Sequence, residues 1–375
     1  GSEMCIRDSG YGTMEKKSVT SSITSIKGDD LTAGMGGSTI ATALQGKVPG
    51  LTISGSASPN SSNDFQLRGI ASVNASQSPL VVIDGIPGGD MRAINQEDIE
   101  SIDVLKDASA TAIYGARGAN GVIVINTKRG NEGKPTVNFS ASFSLNKIAN
   151  KADLMDSYEF VRLQSELISE ETMNKSYFSE GLTLDDYRHI PGIDWQDQLM
   201  TGNGFTHNHT LSMSAGSERI RVMTSLGYLD QNGIIKNANF KRYNLRNNMD
   251  IRMNDRLNFR LDIAATYSRR AANPYQSSVF GFMNSKDPLM LAQWSDGSYA
   301  PFTGGTVNPL PMIEQGVGGN NIRQNGVLKA SAALEYKPVQ WLTLEVKAAP
   351  QLTAVKTHRF VDLVEYHSDP YGTVS

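Results

Sequence analysis

Apolar and polar side chains alternate with a period of two through most of the chain after about residue 131. In TVNFSASFSLN every second residue is apolar, and serine and asparagine separate Val137, Phe139, Ala141, Phe143 and Leu145. Successive side chains of a strand point to opposite faces, so this pattern predicts a strand with one apolar and one polar face. About seven such stretches occur, the others being HTLSMSAG, RIRVMTSLGYL, FKRYNLRNNMDIRM, LNFRLDIAATY, VLKASAALEYK and WLTLEVKAAPQL.

The connections between these stretches alternate in length. Short links join the second strand to the third (216–218), the fourth to the fifth (254–255) and the sixth to the seventh (337–340). The links between them are long at about 148–205 and 270–326, and short only at 230–239. Tight turns at one end and long loops at the other are typical of an outer-membrane β-barrel. A soluble β-sandwich also alternates, but two such long loops on one side are unusual for it.

The residues from about 14 to 130 lack this regular alternation, and their pattern predicts a compact α+β unit. STIATALQGKVPGL predicts a helix that begins near Ser38 or Thr39 and ends at Pro49-Gly50. LTISG, FQLRGI, PLVVIDGIP and GVIVINTKRG predict strands, the third closed by an Asp84-Gly85 turn. NQEDIESIDVLKD predicts a helix capped by Asn95, and ASATAIYGARGANG predicts a second short helix that ends at glycine.

Composition narrows the class of protein. The formal net charge is −3, so no nucleic acid or other polyanion is implied as a partner. The single cysteine, Cys5, excludes an internal disulfide framework and a site built from cysteines alone. No apolar run approaches the roughly 18 residues of a membrane-spanning helix, so any contact with a membrane must be made by strands.

Gly115, Gly118 and Gly121 form a G-x-x-G-x-x-G pattern. A dinucleotide fingerprint places G-x-G-x-x-G between a strand and a helix, whereas here a helical stretch precedes the glycines and a strand follows them. A Walker loop is also absent. The glycines are better explained as a helix end and a crowded turn into a buried strand.

The remaining candidates for chemistry are weak. His207 and His209 would share one strand face, but a metal site needs a third ligand, and an interfacial position explains them better. Acidic residues in the first long loop could serve a glycosidase, yet solvated acids are the ordinary expectation there; they are Glu170, Glu171, Asp185, Asp186 and Asp194. We predict no catalytic residue, no cofactor and no metal site, and hence no enzyme.

Several stretches together closely resemble the SusC/RagA family of TonB-linked outer membrane proteins of Bacteroidetes. They are IATALQGKVPGLTI, FQLRGIASVNASQSPLVVIDGIP, INQEDIESIDVLKDASATAIYGARGANGVIVINTKRG, DWQDQL and GYLDQNGIIKNANFKRYNLRNNMDI. The resemblance covers Gly10 to about Tyr267, and LKDASATAIYGARGANGVIVI is its most specific part.

The resemblance implies an α+β plug domain at 14–130, followed by antiparallel transmembrane β-barrel strands at 131–375, about seven of the roughly 22 in such barrels. It implies import of glycan or peptide fragments across the outer membrane, with TonB as the energy-coupling partner and a SusD-type surface lipoprotein as a lid. Outer-membrane lipid would surround the strands. The substrate-binding residues are left unknown.

The same resemblance implies a structural or gating role for a set of plug residues: Arg68, Gly69, Asp84, Gly85, Glu100, Lys106, Asp107, Tyr114, Gly115, Arg117, Gly118 and Gly121. We further expect that polar residues on the outside of the plug make hydrated, exchangeable contacts with the barrel wall. The candidates are Glu100, Asp103, Lys106, Asp107 and Arg117.

Both ends of the chain depart from the family pattern. We expect residues 1–13 to be a non-native or truncated leader, and a signal peptide and TonB box to be missing before Gly10. We also expect this chain alone neither to seal a barrel nor to transport. Two alternative functions remain open: a TonB-linked receptor for a siderophore, cobalamin or other small ligand, and a secreted β-sandwich binding module.

Overall fold

The computed structural model describes residues 6–8, 13–15, 23–32, 40–54, 59, 64–67, 78–106, 111–301, 307–314 and 317–367. Up to Gly130 its strands are β1 (Ile6–Asp8), β2 (Thr13–Glu15), β3 (Ile23–Lys27), β4 (Leu51–Ser54), β5 (Asp64–Leu67), β6 (Leu80–Ile83), β7 (Ile86–Pro87), β8 (Ile99–Leu105) and β9 (Val122–Thr127). Two short helices, α1 (Gly28–Thr32) and α2 (Ile40–Leu44), accompany them. The predicted cap residues Ser38 and Thr39 lie outside the described residues.

Residues 23–130, here called the N-terminal domain, are built on a five-stranded mixed sheet in the order β3-β8-β9-β6-β7. Strand β9 pairs in parallel with β6 and antiparallel with β8. Its Val122-Ile123-Val124-Ile125 run is buried on both faces, because Ile123 and Ile125 join one apolar cluster and Val122 and Val124 another. A continuous apolar run is the expected sequence of a strand covered on both sides.

The helix predicted over NQEDIESIDVLKD is absent, and that prediction was wrong. A single 3₁₀ turn at Gln96–Asp98 is followed directly by strand β8. Asn95 makes no side-chain cap at this turn. The β-branched residues Ile99, Ile102 and Val104 are fully buried there, and strands β3 and β9 satisfy the backbone of β8 on its two edges.

Two other predictions for this domain, the Asp84-Gly85 turn and the short helix that ends at glycine, agree more closely with the structure. Asp84 (φ 49°) and Gly85 (φ 77°) both adopt left-handed backbone conformations and close the predicted hairpin between β6 and β7. The second predicted helix is a 3₁₀ segment, Ala112–Gly118, which is broken at Gly115 (φ 59°, ψ −149°). Only glycine adopts that backbone conformation without strain, so Gly115 is the residue that ends the helical turn.

The second half forms one antiparallel sheet, here called the large sheet. Its strands are β10 (Gly133–Lys147), β11 (Asn203–Gly216), β12 (Ile220–Asn232), β13 (Asn239–Asn254), β14 (Leu257–Ala272), β15 (Asn320–Val339), β16 (Leu342–Ala348) and β17 (Gln351–Phe360). Neighbours in sequence pair in order from β10 to β16, and the alternation of tight turns and long loops is as predicted. A single continuous sheet excludes the β-sandwich alternative, which needs two sheets packed face to face.

The structure has eight strands in this sheet where the sequence predicted about seven. The difference lies at Pro350, which separates β16 from β17. Both pair with β15 in the same register, with Ala332 opposite Ala348 and Lys329 opposite Gln351. Because proline has no N–H, the ladder is interrupted there, although the N–H of Ala330 still donates to the carbonyl oxygen of Pro350 at 3.1 Å.

The loops at one end of the large sheet pack against each other. The first long loop (148–202) contains α3 (Ser157–Leu167), α4 (Glu170–Ser176) and α5 (Trp195–Leu199). The second long loop (273–319) contains α6 (Val279–Ser285) and α7 (Leu310–Ile313). One apolar cluster combines α5, α6 and α7 with Ile235 of the short loop (233–238). In the parts of the chain that are described, no helix has both the length and the apolarity to cross a bilayer.

Candidate functional site

The outward face of the large sheet carries a continuous apolar band. Along β14 the side chains on this face are Leu257, Phe259, Leu261, Ile263, Ala265 and Tyr267, and their cross-strand partners on β13 and β15 lie on the same face. Tyr267 lies ten residue steps after Leu257. At about 3.4 Å per residue and a tilt of about 40° this distance is ~26 Å along the barrel axis, close to the ~25 Å apolar belt of outer-membrane barrels.

Aromatic side chains border this band at the end that carries the long loops. His209, Tyr228, Tyr243 and Tyr267 are direct cross-strand partners on four neighbouring strands, and we call them the tyrosine row. The ring centroids of Tyr228 and Tyr243 are 5.0 Å apart, and those of Tyr243 and Tyr267 are 6.2 Å apart. Aromatic girdles of this kind mark the interface of a bilayer with water.

His207 and His209 lie in this aromatic border, on one face of β11 as the sequence predicts. Their ring nitrogens Nδ1 and Nε2 are 3.1 Å apart, and His207 stacks on Phe143. Among the described residues no group of three or more His, Cys, Asp or Glu side chains has the geometry of a metal site. The ring contacts of His207 with Phe143 and of His209 with Tyr228 place the pair in the aromatic border of the sheet.

The inward face of the large sheet is polar, and β13 is its clearest example. Every second residue of this strand points inward and is polar or charged: Arg242, Asn244, Arg246, Asn248 and Asp250. Arg242, Arg246 and Asn248 are buried although they lie on a strand face that would otherwise meet water. They are buried because the N-terminal domain packs against them.

An ion pair stands at the centre of this contact. Nη1 of Arg246 lies 3.1 Å from Oδ2 of Asp84, at the tip of the β6–β7 hairpin, and its Nε lies 3.9 Å from Oδ2 of Asp98. The Asp84 carboxylate also accepts hydrogen bonds from the backbone and hydroxyl of Thr127 at 2.9–3.0 Å. The Nδ2 of Asn248 donates to Thr127 Oγ1 at 2.9 Å and to the carbonyl oxygen of Lys128 at 2.8 Å. A buried charge is thus paired and hydrogen-bonded, as burial requires.

Further contacts hold the 3₁₀ turn at Met91–Ala93 and its neighbours. Arg242 Nη1 donates to the carbonyl oxygen of Arg92 at 2.6 Å, and Asn244 Nδ2 donates to that of Ala93 at 2.7 Å. Asn95 Nδ2 donates to Thr210 Oγ1 on β11 at 2.7 Å, which is where the predicted cap residue finds its partner. We call this set of polar contacts, together with the Asp84–Arg246 pair, the polar seat.

The link from the N-terminal domain to β10 is fixed by charge and by close backbone packing. Arg129 forms ion pairs with Asp250 of β13 at 3.1 Å and with Asp262 of β14 at 2.9 Å. Burial alone would lower the pKa of Arg129, but the two carboxylates outweigh it and raise that pKa above its usual value. At Gly130 the chain passes so close to β12 that a Cβ atom would lie 2.5 Å from the backbone nitrogen of Val222.

Asp98 is the least exposed acid of the seat. It is 2% exposed, and burial raises the pKa of its carboxyl group. The nearby hydroxyl group of Ser225 and the positive charges of Arg246, Arg242 and Lys128 counteract that rise without cancelling it. The seat therefore holds one carboxyl group that favours its neutral form more than an exposed aspartate does.

The structure assigns different positions to the predicted plug residues. Asp84 and Gly85 lie in the seat, Tyr114 is buried in an apolar cluster, and Gly118 and Gly121 stand where a Cβ would come within 3.0 Å of a neighbour. Arg68, Gly69 and Asp107 lie outside the described residues.

The residues expected to contact the barrel wall are largely different from those that do. Glu100 lines an open cavity of about 1190 Å³ on the short-turn side, between the N-terminal domain and the large sheet. Asp103 lies 3.4 Å from Asn126 Nδ2, within its own domain. Lys106 and Arg117 contribute none of the described contacts of the polar seat. The partners that the structure shows lie on the polar period-two face of β13, a pattern visible in the sequence.

The acidic residues of the first long loop have structural roles. Asp194 caps α5 by accepting from the backbone of Gln196 at 2.8 Å, and Asp185 pairs with Arg188 at 2.7 Å. Asp186 accepts from Thr183, and Glu170 and Glu171 stand in the first turn of α4, where the helix dipole favours acids. Each of these acids thus has a local role in the first long loop, as a cap, an ion-pair partner or a first-turn acid.

Comparison with known proteins agrees with this geometry. Residues 15–122 match the TonB-dependent Receptor Plug Domain family. The chain is 37% identical over 277 residues to TonB-dependent receptor P3 of Formosa agariphila, covering 72% of this chain and 26% of that protein. It is 35% identical over 245 residues to TonB-dependent receptor SusC of Bacteroides thetaiotaomicron, covering 62% and 23% respectively. The chain thus spans about a quarter of the length of these relatives.

The fold matches a solved transporter. The structure of the RagAB peptide importer in its open-open state superimposes with a TM-score of 0.77 at 25% identity, covering 94% of this chain and 43% of that chain. The match includes both the N-terminal domain and the large sheet. The chain belongs to the SusC/RagA-like TonB-dependent receptors, which are β-barrel proteins of the outer membrane.

Proposed function

We propose that the receptor containing this chain imports glycan or peptide fragments across the outer membrane, with energy from TonB and a SusD-type surface lipoprotein as its lid. Residues 14–130 act as the plug and residues 131–375 supply the first strands of the barrel wall. The role is transport and involves no catalytic step.

The observation that carries this proposal is the nature of the polar seat. Each described apolar cluster lies wholly within the N-terminal domain or among the loops, and none of them joins the N-terminal domain to the large sheet. Hydrogen bonds and ion pairs join the two instead. Water can replace such contacts one at a time, so their net contribution to stability is only about 0.5–1.5 kcal/mol each. A plug held this way blocks the lumen and still yields to a pulling force.

The choice of cargo rests on the relatives. SusC is a TonB-dependent receptor of Bacteroides thetaiotaomicron, and RagAB is named as a peptide importer. The long loops, which share one apolar core above the tyrosine row, offer a rigid platform on which a lipoprotein lid would rest.

Within the plug we propose a gating role for the Asp84–Gly85 turn, since it reaches both β13 and β16. The carbonyl oxygen of Asp84 accepts a hydrogen bond from Lys347 Nζ at 2.9 Å, in addition to the side-chain pair with Arg246. Glu100, Lys106, Tyr114, Gly115, Arg117, Gly118 and Gly121 complete the proposed plug signature.

The test is deletion of the complete gene in its source bacterium, with growth measured on a panel of single glycans, peptide mixtures and iron-siderophore complexes. We expect growth to fail on one polymer class and to be restored by the wild-type gene. The same failure is expected when TonB is depleted. A defect confined to iron limitation or to cobalamin limitation would instead identify a receptor for a small ligand.

A second experiment tests whether the polar seat holds the plug in place. Cells carrying Arg246→Ala should leak small solutes through the receptor, because the seat has lost its central cation, whereas cells carrying Arg252→Ala should not. Arg252 lies on the same inward face of β13, but among the described residues its ion pair is with the exposed Asp255. Equal leakage in the two strains would contradict a plug held by the polar seat.

A further inference from the structure

We propose that the outward face of the large sheet carries a binding site for a phosphate-bearing lipid of the outer leaflet, with its phosphate on Arg269 and Lys356 and one acyl chain in an apolar notch below them. The inference rests on the membrane position of the large sheet and not on the cargo of the receptor.

The cations come from one cross-strand row. Asp230, Lys241, Arg269, Gln324 and Lys356 are successive register partners on β12, β13, β14, β15 and β17. We call this the cation row. It lies two residues beyond the tyrosine row on each strand, which is about 7 Å along the strand. Cations at this height stand beside the headgroups, just above the apolar band.

Two of these cations are available to a ligand. Lys241 Nζ is already paired with Asp230 Oδ2 at 3.0 Å. For Arg269 and Lys356, by contrast, no carboxylate of the described residues lies within 4.0 Å. They stand two strands apart with the amide of Gln324 between them, so one phosphate can accept from all three side chains.

The notch lies directly beneath this pair. Where β13 and β14 carry Tyr243 and Tyr267, the same row continues on β15 and β17 with Gly326 and Ala354. A Cβ atom on Gly326 would meet nothing closer than a backbone oxygen at 3.9 Å, so a side chain is missing where space for one exists. The next row down is Ala265, Leu328 and Leu352.

The notch is part of a larger open groove of about 850 Å³ on this face, with Tyr267, Leu328 and Leu352 among its walls. That volume is within the roughly 300–1,000 Å³ of ordinary ligand sites. Apolar walls below and free cations above match a molecule with hydrocarbon chains and an anionic head. Free inorganic phosphate would bind to the cations but would not fill the apolar notch.

The experiment uses the complete receptor, folded in detergent, and native mass spectrometry with a phosphorylated lipid A as the probe. We expect the wild type to retain this lipid and to bind its dephosphorylated form at least about tenfold more weakly. Each basic residue near an anionic lipid surface contributes about a fivefold gain in affinity, so Arg269→Gln with Lys356→Gln should weaken binding about 25-fold. Lys241→Gln is the matched control and should change little.

The notch is tested separately. Gly326→Leu keeps both cations and should weaken the intact lipid, while a water-soluble phosphorylated headgroup without acyl chains should bind this variant and the wild type alike. Competition by inorganic phosphate at the same concentration as lipid would show an anion site only and overturn the lipid assignment. Equal binding of phosphorylated and dephosphorylated lipid by the wild type would overturn the proposal without recourse to any variant.

Discussion

Asp84 and Arg246 join the two halves of the molecule: Oδ2 of the aspartate lies 3.1 Å from Nη1 of the arginine, and each side chain is only 9% exposed. The aspartate stands in a strained turn of the N-terminal domain, and the arginine stands on the inward face of β13. An ion pair this buried gains little net free energy over apolar packing, but removing one partner leaves the other charge uncompensated.

Arg246→Ala should therefore loosen the N-terminal domain. We expect a loss of about 3–5 kcal/mol in the free energy that holds it in the barrel, since both Asp84 and Asp98 lose their cation. Urea titration of the complete receptor, followed by a fluorophore on the N-terminal domain, measures this loss. Arg252→Ala removes an exposed pair and should cost at most about 1 kcal/mol. The same midpoint in both variants would show that the pair does not hold the domain.

Asp98 should make this stability depend on pH. Burial raises its pKa in the folded protein, so the folded state holds a proton that the unfolded chain has released. Its contribution is therefore greatest at low pH and is lost as pH rises from about 3.8 through the raised pKa. We expect Asp98→Asn to flatten this part of the plot of stability against pH, measured as urea midpoints between about pH 4 and about pH 7. An unchanged slope would assign the pH dependence to other groups.

Gly130→Ala should disturb the link between the two halves. The added methyl group would lie 2.5–2.7 Å from backbone atoms of Val222, which is held in strand β12. Overpacking of this kind costs about 1–3 kcal/mol. The fraction of receptor that folds and shows heat-modifiable migration on gels reports the effect. Gly281→Ala, in helix α6 with open space around it, is the control and should be neutral or slightly stabilising.

Trp195→Ala should separate the two long loops. The side chain is 1% exposed, and its Nε1 donates to the carbonyl oxygen of Asp287 at 3.0 Å. We expect a local loss of about 3–5 kcal/mol. Faster hydrogen exchange in residues 148–202 and 273–319, with unchanged exchange in β8 and β9, is the expected signature. Trp341→Ala, at a position 84% exposed, should leave loop exchange unaltered.

Features that depend on local pattern could be predicted from the amino-acid sequence. Period-two alternation predicted the strands of the large sheet and their two faces. The lengths of the connections predicted which end of the sheet carries tight turns and which carries long loops. The Asp84-Gly85 pair gave a hairpin, because few other residue pairs adopt two successive left-handed conformations. The continuous apolar run at 122–125 indicated a buried strand, and the structure shows it buried on both faces.

Features that depend on partners far away in the chain are set by the folded structure. Residues 99–105 form a strand because β3 pairs with one edge of it and β9 with the other. Acidic residues before an apolar stretch are not enough to make a helix. The partners of the polar seat are separated by more than a hundred residues, as Asp84 and Arg246 are, and no local pattern pairs them. The sequence shows which side chains face inward, whereas only the docking of the N-terminal domain determines which of them are buried and which charges they meet.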